Sequence, residues 1–190
     1  QDHDGWSALH GAIEKDHASV VGLLLDHHAD LEMRTNKGDS PLILAAWTGA
    51  VSTAKVLLER KASVNGLKAD ETRSAPLHFA AKQGHASIVG LLLDAKAAVG
   101  HQDREGCAAL HDASATEKDH ASVVGLLLDH HADLEMRTNK GDSPLVLAAW
   151  HGAESAAKVL LERKASANGL KANETRSAPL HFAAKQGHAS

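Results

Sequence analysis

The sequence is poor in several residue types, and each scarcity excludes a class of protein. Cys107 is the only cysteine among 190 residues, so the chain cannot form a disulfide framework. Tyrosine is absent, and aromatic residues make up only 3% of the chain. The longest apolar runs, such as residues 42–47, are far shorter than the roughly 20 residues that a membrane-spanning helix needs. These features argue against a disulfide-rich scaffold and against membrane insertion.

Net charge and hydrophobic content exclude further classes of protein. The formal net charge is −4 with neutral histidines, so we expect no broad basic surface for nucleic acid. Hydrophobic residues make up 43% of the chain, which excludes intrinsic disorder. We expect the protein to be monomeric. We also expect it to be located inside the cell, in the cytoplasm or the nucleus, because a lone cysteine fits a reducing compartment.

A short phrase centred on a leucine recurs along the whole chain. Its leucine falls at Leu9, Leu42, Leu77, Leu110, Leu145 and Leu180, at intervals of 33, 35, 33, 35 and 35 residues. A fixed period in this range predicts a repeat array rather than a protein with one central core.

One copy of the phrase shows what a unit does. Ser40 is a good N-cap, and Pro41 suits the first helical position, where its missing N–H is not needed. Leu42 begins an apolar stripe of helical spacing, Gly49 ends this first helix, and residues 56–58 lie in a second one. Helices shorter than about 12 residues are marginal alone in water, so each pair needs neighbouring units for its stability.

The unit resembles the ankyrin repeat, whose helix-opening signature is Thr-Pro-Leu-His. Residues 75–80 and 178–183 read Ala-Pro-Leu-His-Phe-Ala, residues 40–42 and 143–145 read Ser-Pro-Leu, and residues 7–10 and 108–111 keep Leu-His without the proline. The resemblance covers essentially the whole chain. It implies an all-α fold, the ankyrin-type α-solenoid of stacked helix-turn-helix repeats with projecting β-turn or hairpin fingers.

The repeats predict one array over residues 1–190, which we expect to be a fragment of a longer chain. Its units are residues 1–33, 34–66, 67–101, 102–136 and 137–171, with a partial unit at 172–190. The third unit has two extra residues within 68–73, and the fourth has two near 113–116. We expect the second insertion to be absorbed between the two helices or as a bulge. Residues 14–87 and 117–190 also align at an offset of 103 with six differences, which indicates a duplicated block.

Two departures from the ankyrin pattern have structural consequences. Ankyrin repeats usually place glycine after the second helix, but this chain has charged or imidazole side chains there. We predict positive φ at all five positions, which are His28, Lys61, Lys96, His131 and Lys164. Alanine also replaces the capping hydroxyl at Ala75, Ala108 and Ala178, which costs about 1 kcal/mol each.

No catalytic motif is present, and we expect no enzyme activity, no cofactor and no metal site. Cys107 lies four residues before His111, but we interpret both as structural residues. Adjacent histidines, as at 27–28 and 130–131, point about 100° apart on a helix and seldom chelate one ion. The signature histidines are expected to pack and to bond the turns; they are His10, His78, His111 and His181.

The tryptophans indicate a binding surface. Trp47 and Trp150 follow the alanine pair of a first helix, on the side that faces the inner groove in ankyrin repeats. The resemblance also marks the finger tips as recognition elements. The predicted partner-binding residues are Trp6, Asn36, Lys37, Asp39, Trp47, Thr48, Arg104, Glu105, Asn139, Lys140, Asp142, Trp150 and His151.

The sequence therefore predicts a non-catalytic scaffold for protein–protein interaction, which binds a protein partner through its concave groove and finger tips. Two alternatives stay open. The repeats could be a regulatory or targeting segment of a larger enzyme or channel. They could also sense a metal ion or pH through the 15 histidines.

Overall fold

The structure, a computed structural model, describes residues 3–116 and 120–167. These residues form ten α-helices and no β-strand, in agreement with the expected all-α class. The chain divides into two compact units, Gln1–Ala98 and Val99–Ser190, and each is described by itself. The predicted partial unit at 172–190, with Ala178 and His181, lies outside the described residues.

The first unit contains six of these helices. They are α1 (Ala8–Glu14), α2 (Ala18–Asp26), α3 (Pro41–Thr48), α4 (Val51–Glu59), α5 (Pro76–Gln83) and α6 (Ala86–Asp94). The described part of the second unit contains α7 (Ala109–Ser114), α8 (Ala121–Asp129), α9 (Pro144–His151) and α10 (Glu154–Glu162). These helices are six to nine residues long.

The helices pack as pairs in two rows within each unit. In the first unit, α1, α3 and α5 lie side by side, as do α2, α4 and α6, and each first helix contacts the second helix of its own repeat. In the second unit, α7 packs on α9 and α8 on α10 in the same way. This is the stacked helix-turn-helix arrangement that the resemblance implied.

The cap signals in the sequence act as predicted. The hydroxyl of Ser40 accepts a hydrogen bond from the backbone N–H of Ile43 at 3.3 Å, Pro41 is the first residue of α3, and Gly49 ends that helix. Ser143 caps α9 through the N–H of Val146 at the same distance. Local side chains therefore set where the first helix of a repeat begins.

Small and branched apolar side chains form the core. Leu42, Leu77 and Leu57 are buried, and burial of each such side chain stabilises the fold by roughly 1.5–3 kcal/mol. Ala45 and Ala80 are fully buried on the first helices, where they allow neighbouring helices to approach closely. The recurring leucine is therefore a core residue in each of its five described copies, Leu9, Leu42, Leu77, Leu110 and Leu145.

The prediction of left-handed residues after the second helices is confirmed. The φ angles are 64° at His28, 68° at Lys61, 67° at Lys96, 65° at His131 and 71° at Lys164. At the end of α4, the N–H of Ala62 reaches back to the carbonyl of Leu57 at 2.9 Å, which is the bond of a Schellman motif. That motif requires positive φ at the preceding residue, so the side chain there has to tolerate it.

The signature histidines bond the backbone N–H of the N-cap residue, which is a different group from the N–H that a capping hydroxyl accepts. The backbone N–H groups of Ala75 and Ala108 donate to Nδ1 of His78 and His111, at 3.2 and 3.0 Å. Nε2 of His111 in turn donates to the carbonyl of Met136 at 2.9 Å. The expected role of these histidines, packing and bonding the turns, is therefore confirmed for the described copies.

The insertion in the fourth repeat lies between the helices. Three residues, 15–17, separate α1 from α2, whereas six residues, 115–120, separate α7 from α8. Residues 117–119 lie outside the described residues. Because the extra residues do not enter α7 or α8, the buried face of α8 keeps its register, with Val124 and Leu127 buried.

Polar side chains join neighbouring repeats at the helix ends within each unit. Arg60 pairs with Asp26 at 2.9 Å, and the equivalent Arg163 pairs with Asp129 at 2.8 Å. Both carboxylate oxygens of Asp16 accept backbone N–H groups in the first turn of α4, at 3.3 and 2.8 Å. These contacts fix the position of one helix pair relative to its neighbour.

A glycine at a left-handed position should stabilise the protein. Lys61→Gly removes the strain of a side chain at positive φ, which stabilises the folded protein. The glycine also increases the conformational entropy of the unfolded chain, which is a smaller, opposing effect. The free energy of unfolding should therefore rise by about 0.5–1 kcal/mol. Lys55→Gly, in the exposed middle of α4, should lower it by about 1 kcal/mol. Urea denaturation measures both; similar destabilisation by the two variants would contradict the assigned backbone geometry.

Acid should destabilise the protein in part through His111. Burial lowers the pKa of His111 below its ordinary value of 6.5, although its bond to Met136 and nearby carboxylates oppose this. His111 therefore takes up its proton at a higher pH in the unfolded chain than in the folded protein. The free energy of unfolding falls as pH drops below about 6.5, by at most about 1.4 kcal/mol per pH unit for this group.

His111→Gln removes the titrating group and serves as the test. The free energy of unfolding of this variant should fall less than that of the wild type between about pH 7.5 and about pH 5.5. Urea denaturation at both pH values provides the measurement. Equal decreases in the two proteins would show that His111 does not resist protonation in the folded state.

Candidate functional site

The fingers are tight turns between the repeats. In the finger of residues 35–39, the N–H of Thr35 donates to the carbonyl of Asp39 at 3.0 Å, and the N–H of Gly38 donates to the carbonyl of Thr35 at 2.9 Å. Gly38 has a φ of 81°, which only glycine adopts without strain. The finger of residues 138–142 repeats these bonds in the second unit. The predicted β-turn fingers are therefore present.

An asparagine binds the second finger of the first unit to the first finger. The backbone N–H of Asn36 donates to the carbonyl of Asp4 at 3.0 Å, and its amide Nδ2 donates to the carbonyl of His3 at 2.8 Å. Gly5 has a φ of 75°, and a Cβ there would lie 2.5 Å from Oδ1 of Asn36, so the close approach requires glycine. Asn36, predicted to bind a partner, thus has a role within the fold.

The second unit repeats this finger contact. The backbone N–H of Asn139 donates to the carbonyl of Glu105 at 2.9 Å, and its Nδ2 donates to the carbonyl of Arg104 at 2.8 Å. The side chains of Arg104 and Glu105 remain exposed, because only their carbonyls take part. The arrangement presents the side chains at the tips while the backbone holds the tips together.

An arginine holds the base of two fingers in the first unit. The guanidinium of Arg34 donates from Nη1 to the carbonyls of Gly38 and Leu67, both at 2.9 Å. Gln102 occupies the equivalent position in the second unit and donates to the carbonyls of Gly106 and Arg137. Neighbouring fingers are therefore fixed at both base and tip.

The longer third finger carries a lysine that reaches back to the second. The ammonium of Lys68 lies 3.3 Å from a carboxylate oxygen of Asp39 and 3.1 Å from one of Asp70. It also lies 5.8 Å from the centre of the Phe79 ring, within the range of a cation–π contact. Lys68, within the segment that holds the two extra residues of the third repeat, therefore bridges two fingers.

These contacts change the pKa values of the bridge. Burial alone would lower the pKa of Lys68, but hydrogen bonds and charges from Asp70 and Asp39 outweigh it and raise that pKa. Burial alone would raise the pKa of Asp70, yet hydrogen bonds from Thr72 and Lys68 lower it. The bridge is thus an ion pair at neutral pH.

A pocket of about 290 Å³ lies between the fingers and the first helices of the first unit. Its aromatic lining residues are Trp6, Trp47 and Phe79, and Ile43 and Leu44 add aliphatic surface. Its charged lining residues are Lys37, Asp39 and Lys68. The structure thus brings four of the predicted partner-binding residues, Trp6, Lys37, Asp39 and Trp47, to one place.

Trp47 is both supported and accessible. Its ring packs edge-on against Phe79, with centroids 5.9 Å apart and planes at 70°, and its carbonyl is bonded by Nε2 of His85 at 3.2 Å. Even so, 46% of the residue is exposed. Trp6 packs on His10 with centroids 5.9 Å apart. Trp47 therefore packs on Phe79 of the next repeat and keeps part of its indole accessible.

The other predicted residues of the first unit differ in accessibility. Lys37 is exposed and has no charged partner among the described residues, whereas Asp39 is held by Lys68. Thr48 is half-buried, and its hydroxyl donates to the carbonyl of Leu44 at 2.9 Å. Neither Asn36 nor Thr48 lines the pocket.

In the second unit, Trp150 is 41% exposed and His151 is half-buried beside it. Lys140 is exposed, but Asp142 is only 7% exposed and is the least accessible residue of the predicted set. Cys107 follows Gly106 as Trp6 follows Gly5, and both glycines have positive φ. Cys107 therefore occupies the position that Trp6 has in the first unit.

Cys107 is poorly suited to nucleophilic chemistry. Burial, followed by the charges of Asp112 and Asp103, raises the pKa of its thiol to about 12. At neutral pH the reactive thiolate is therefore scarce. The backbone N–H of Cys107 donates to the carboxylate of Asp103 at 2.9 Å, so the residue is part of a finger turn.

Within residues 3–116 and 120–167, no three His, Cys, Asp or Glu side chains converge to hold a metal ion. Over the same residues, no helix combines the length and the apolar character needed to cross a bilayer.

Sequence reasoning missed three groups of pocket residues. Lys68 was noted only as part of an insertion, and neither Phe79 nor the pair Ile43 and Leu44 was included in the predicted site. The sequence did contain one signal for Phe79. It directly follows the signature histidine and precedes an alanine pair, on the same helix face as the position that corresponds to Trp47. The ion pair of Lys68 had no comparable signal.

Comparison with known proteins identifies the repeat. The family described as "Ankyrin repeats (3 copies)" matches residues 1–68, 65–138 and 114–190, which together span the chain. A stretch of 51 residues is 41% identical to the 2-5A-dependent ribonuclease of Homo sapiens. That stretch covers 27% of this chain and 7% of the ribonuclease, so the similarity does not show catalysis here.

Removal of the bridging ammonium should change a carboxyl pKa. In Lys68→Met the pKa of Asp70 should rise toward its ordinary value of 3.8, while the hydrogen bond from Thr72 keeps it partly lowered. Lys37→Met removes a lysine that does not contact Asp70 and should leave that pKa unchanged. Carboxyl ¹³C NMR titration measures both, and an unchanged Asp70 pKa in Lys68→Met would disprove the bridge.

Proposed function

The chain belongs to the ankyrin-repeat family, and from that premise we propose that it is a non-catalytic module that binds a protein partner. The binding surface is the groove between the fingers and the first helices, together with the finger tips. Ankyrin repeats generally mediate protein–protein interaction, and the partner contacts proposed here go beyond that general property.

The exposure of Trp47 is the observation that carries the proposal. A large indole that is nearly half exposed, at the edge of an apolar pocket, offers apolar surface that a partner can bury. Tryptophan is also enriched among the residues that contribute most to interface affinity. Trp150, exposed to a similar extent in the second unit, is proposed as a second anchor.

The finger tips are proposed to set specificity. Lys37, Lys140, Arg104 and Glu105 present exposed charges at the tips, while backbone bonds hold the tips in place. Charged side chains around an apolar anchor mainly affect the association rate and the choice of partner. A rigid backbone reduces the entropy that the fingers lose on binding.

The raised pKa of the Cys107 thiol supports a role without turnover. The contacts described for the fingers and the pocket are all with backbone groups or with neighbouring side chains of the same surface. They orient a binding surface and activate no nucleophile.

Capture experiments with matched variants test the proposal. The immobilised wild-type chain is compared with the double variant Trp47→Ala, Trp150→Ala and with Leu161→Ala. Leu161 is 47% exposed, but it lies on a second helix, away from the fingers. Proteins retained from a lysate are quantified by mass spectrometry, and circular dichroism checks that each variant is folded.

We expect the double variant to retain at least about tenfold less of a specific partner than the wild type does, because hot-spot tryptophans contribute on the order of 2 kcal/mol each to the binding free energy. Leu161→Ala should retain that partner. If the folded double variant retrieves the same proteins as the wild type, the groove is not the binding surface.

A second role is favoured by the similarity to the ribonuclease of Homo sapiens, of which the matched stretch is a small part. We propose as an alternative that the repeats regulate or target a larger enzyme or channel on the same polypeptide. Sequencing of the full-length transcript tests this alternative. A catalytic or channel domain in the same reading frame supports it, and a reading frame with repeats alone removes it.

A further inference from the structure

We propose that the pocket of the first unit binds one bulky apolar side chain of a peptide segment in the partner, flanked by a carboxylate that pairs with Lys37. This inference rests on the proposed function and adds the chemistry of the anchor. It concerns only residues of the first unit.

The size of the pocket fits a side chain rather than a large ligand. Its volume is about 290 Å³. Pockets for small ligands and cofactors begin at about 300 Å³, so this one lies at the lower limit of that range. A phenylalanine or leucine side chain can enter it, while the peptide backbone stays between the finger tips.

The walls of the pocket are chemically suited to an apolar group. The indoles of Trp6 and Trp47 and the ring of Phe79 line it, with Ile43 and Leu44 beside them. Phe79 supports Trp47 edge-on, so the indole is held in place before any ligand binds. An aromatic or aliphatic side chain gains contact with these rings without displacing a hydrogen-bonded group.

The charges around the pocket select the sign of the flanking group. Asp39 is neutralised by Lys68, and Asp70 contacts the same ammonium, so neither carboxylate is available to a cationic ligand without breaking the bridge. Lys37 lines the pocket, is exposed, and has no charged partner among the residues that the structure describes. The unpaired charge is therefore positive, and its complement is a carboxylate.

The second unit provides an internal control. Trp150 is as exposed as Trp47, but Cys107 stands where the first unit has Trp6. A ligand that needs both indoles will therefore select the first unit, although Lys140 repeats Lys37. The three tryptophans of the chain thus report on the two sites separately.

The test uses ¹H–¹⁵N NMR of the whole chain, in which each indole N–H gives a separate signal. The variants Trp6→Phe, Trp47→Phe and Trp150→Phe assign the three signals. The probe is the peptide acetyl-Glu-Phe-Glu-amide, and the matched control peptides are acetyl-Glu-Ala-Glu-amide and acetyl-Lys-Phe-Lys-amide.

We expect acetyl-Glu-Phe-Glu-amide to shift the indole signals of Trp6 and Trp47 and to leave that of Trp150 unchanged. A single anchor gives weak binding, with a dissociation constant on the order of 1 mM. Both control peptides should bind at least about fivefold more weakly, and Lys37→Glu should reverse the preference between the two phenylalanine peptides.

Three results would overturn the inference. They are unshifted signals of Trp6 and Trp47 at peptide concentrations up to about 10 mM, equal binding of the alanine peptide, and tighter binding of the lysine peptide by the wild type. The titration itself uses the wild-type protein, and the tryptophan variants serve only to assign the three indole signals. If the peptides fail here but the capture experiment still shows partner loss in the double tryptophan variant, the anchor chemistry is wrong and the groove stands. Failure of both removes the proposed function as well.

Discussion

Burial between neighbouring repeats is the constraint on which the rest of this structure depends. No helix in the described part of the chain exceeds nine residues, and helices of that length are marginal in water. Each pair becomes stable only when residues such as Leu42 and Leu77 are buried among the helices of its unit. The buried alanines let the first helices of one unit approach each other closely. Because the core is formed between units, a repeat can vary its fingers with little effect on its helices.

The polar contacts between repeats convert this stacking into a surface with a defined arrangement of fingers. Arg34 and Asn36 hold one finger against its neighbours through backbone carbonyls, and Lys68 closes the third finger onto the second. The pocket beside Trp47 exists because these fingers are fixed at both ends. The side chains that are not needed for these bonds, above all Lys37 and the exposed face of Trp47, remain available to a partner.

Local signals in the sequence were sufficient to predict most of the fold. The serine and proline at 40–41 begin α3, and the left-handed residues such as Lys61 follow from the fixed register of the repeat, so both were predicted correctly. The site was less predictable. Lys68 and Asp39 are 29 residues apart, and Trp47 meets Phe79 from the next repeat, so their contacts depend on how the repeats stack. Asn36 was predicted from its place at a tip, but its amide bonds the adjacent finger, which no local pattern reveals.

The interdependence of the repeats is tested most directly by the helix content of a single repeat. Far-ultraviolet circular dichroism of the peptide of residues 34–66 is compared with that of the protein of residues 1–98, at equal residue concentration. The account predicts that the isolated repeat shows almost no helical signal, while the three-repeat protein is helical and unfolds cooperatively. A single repeat that is as helical per residue as the longer protein would contradict it.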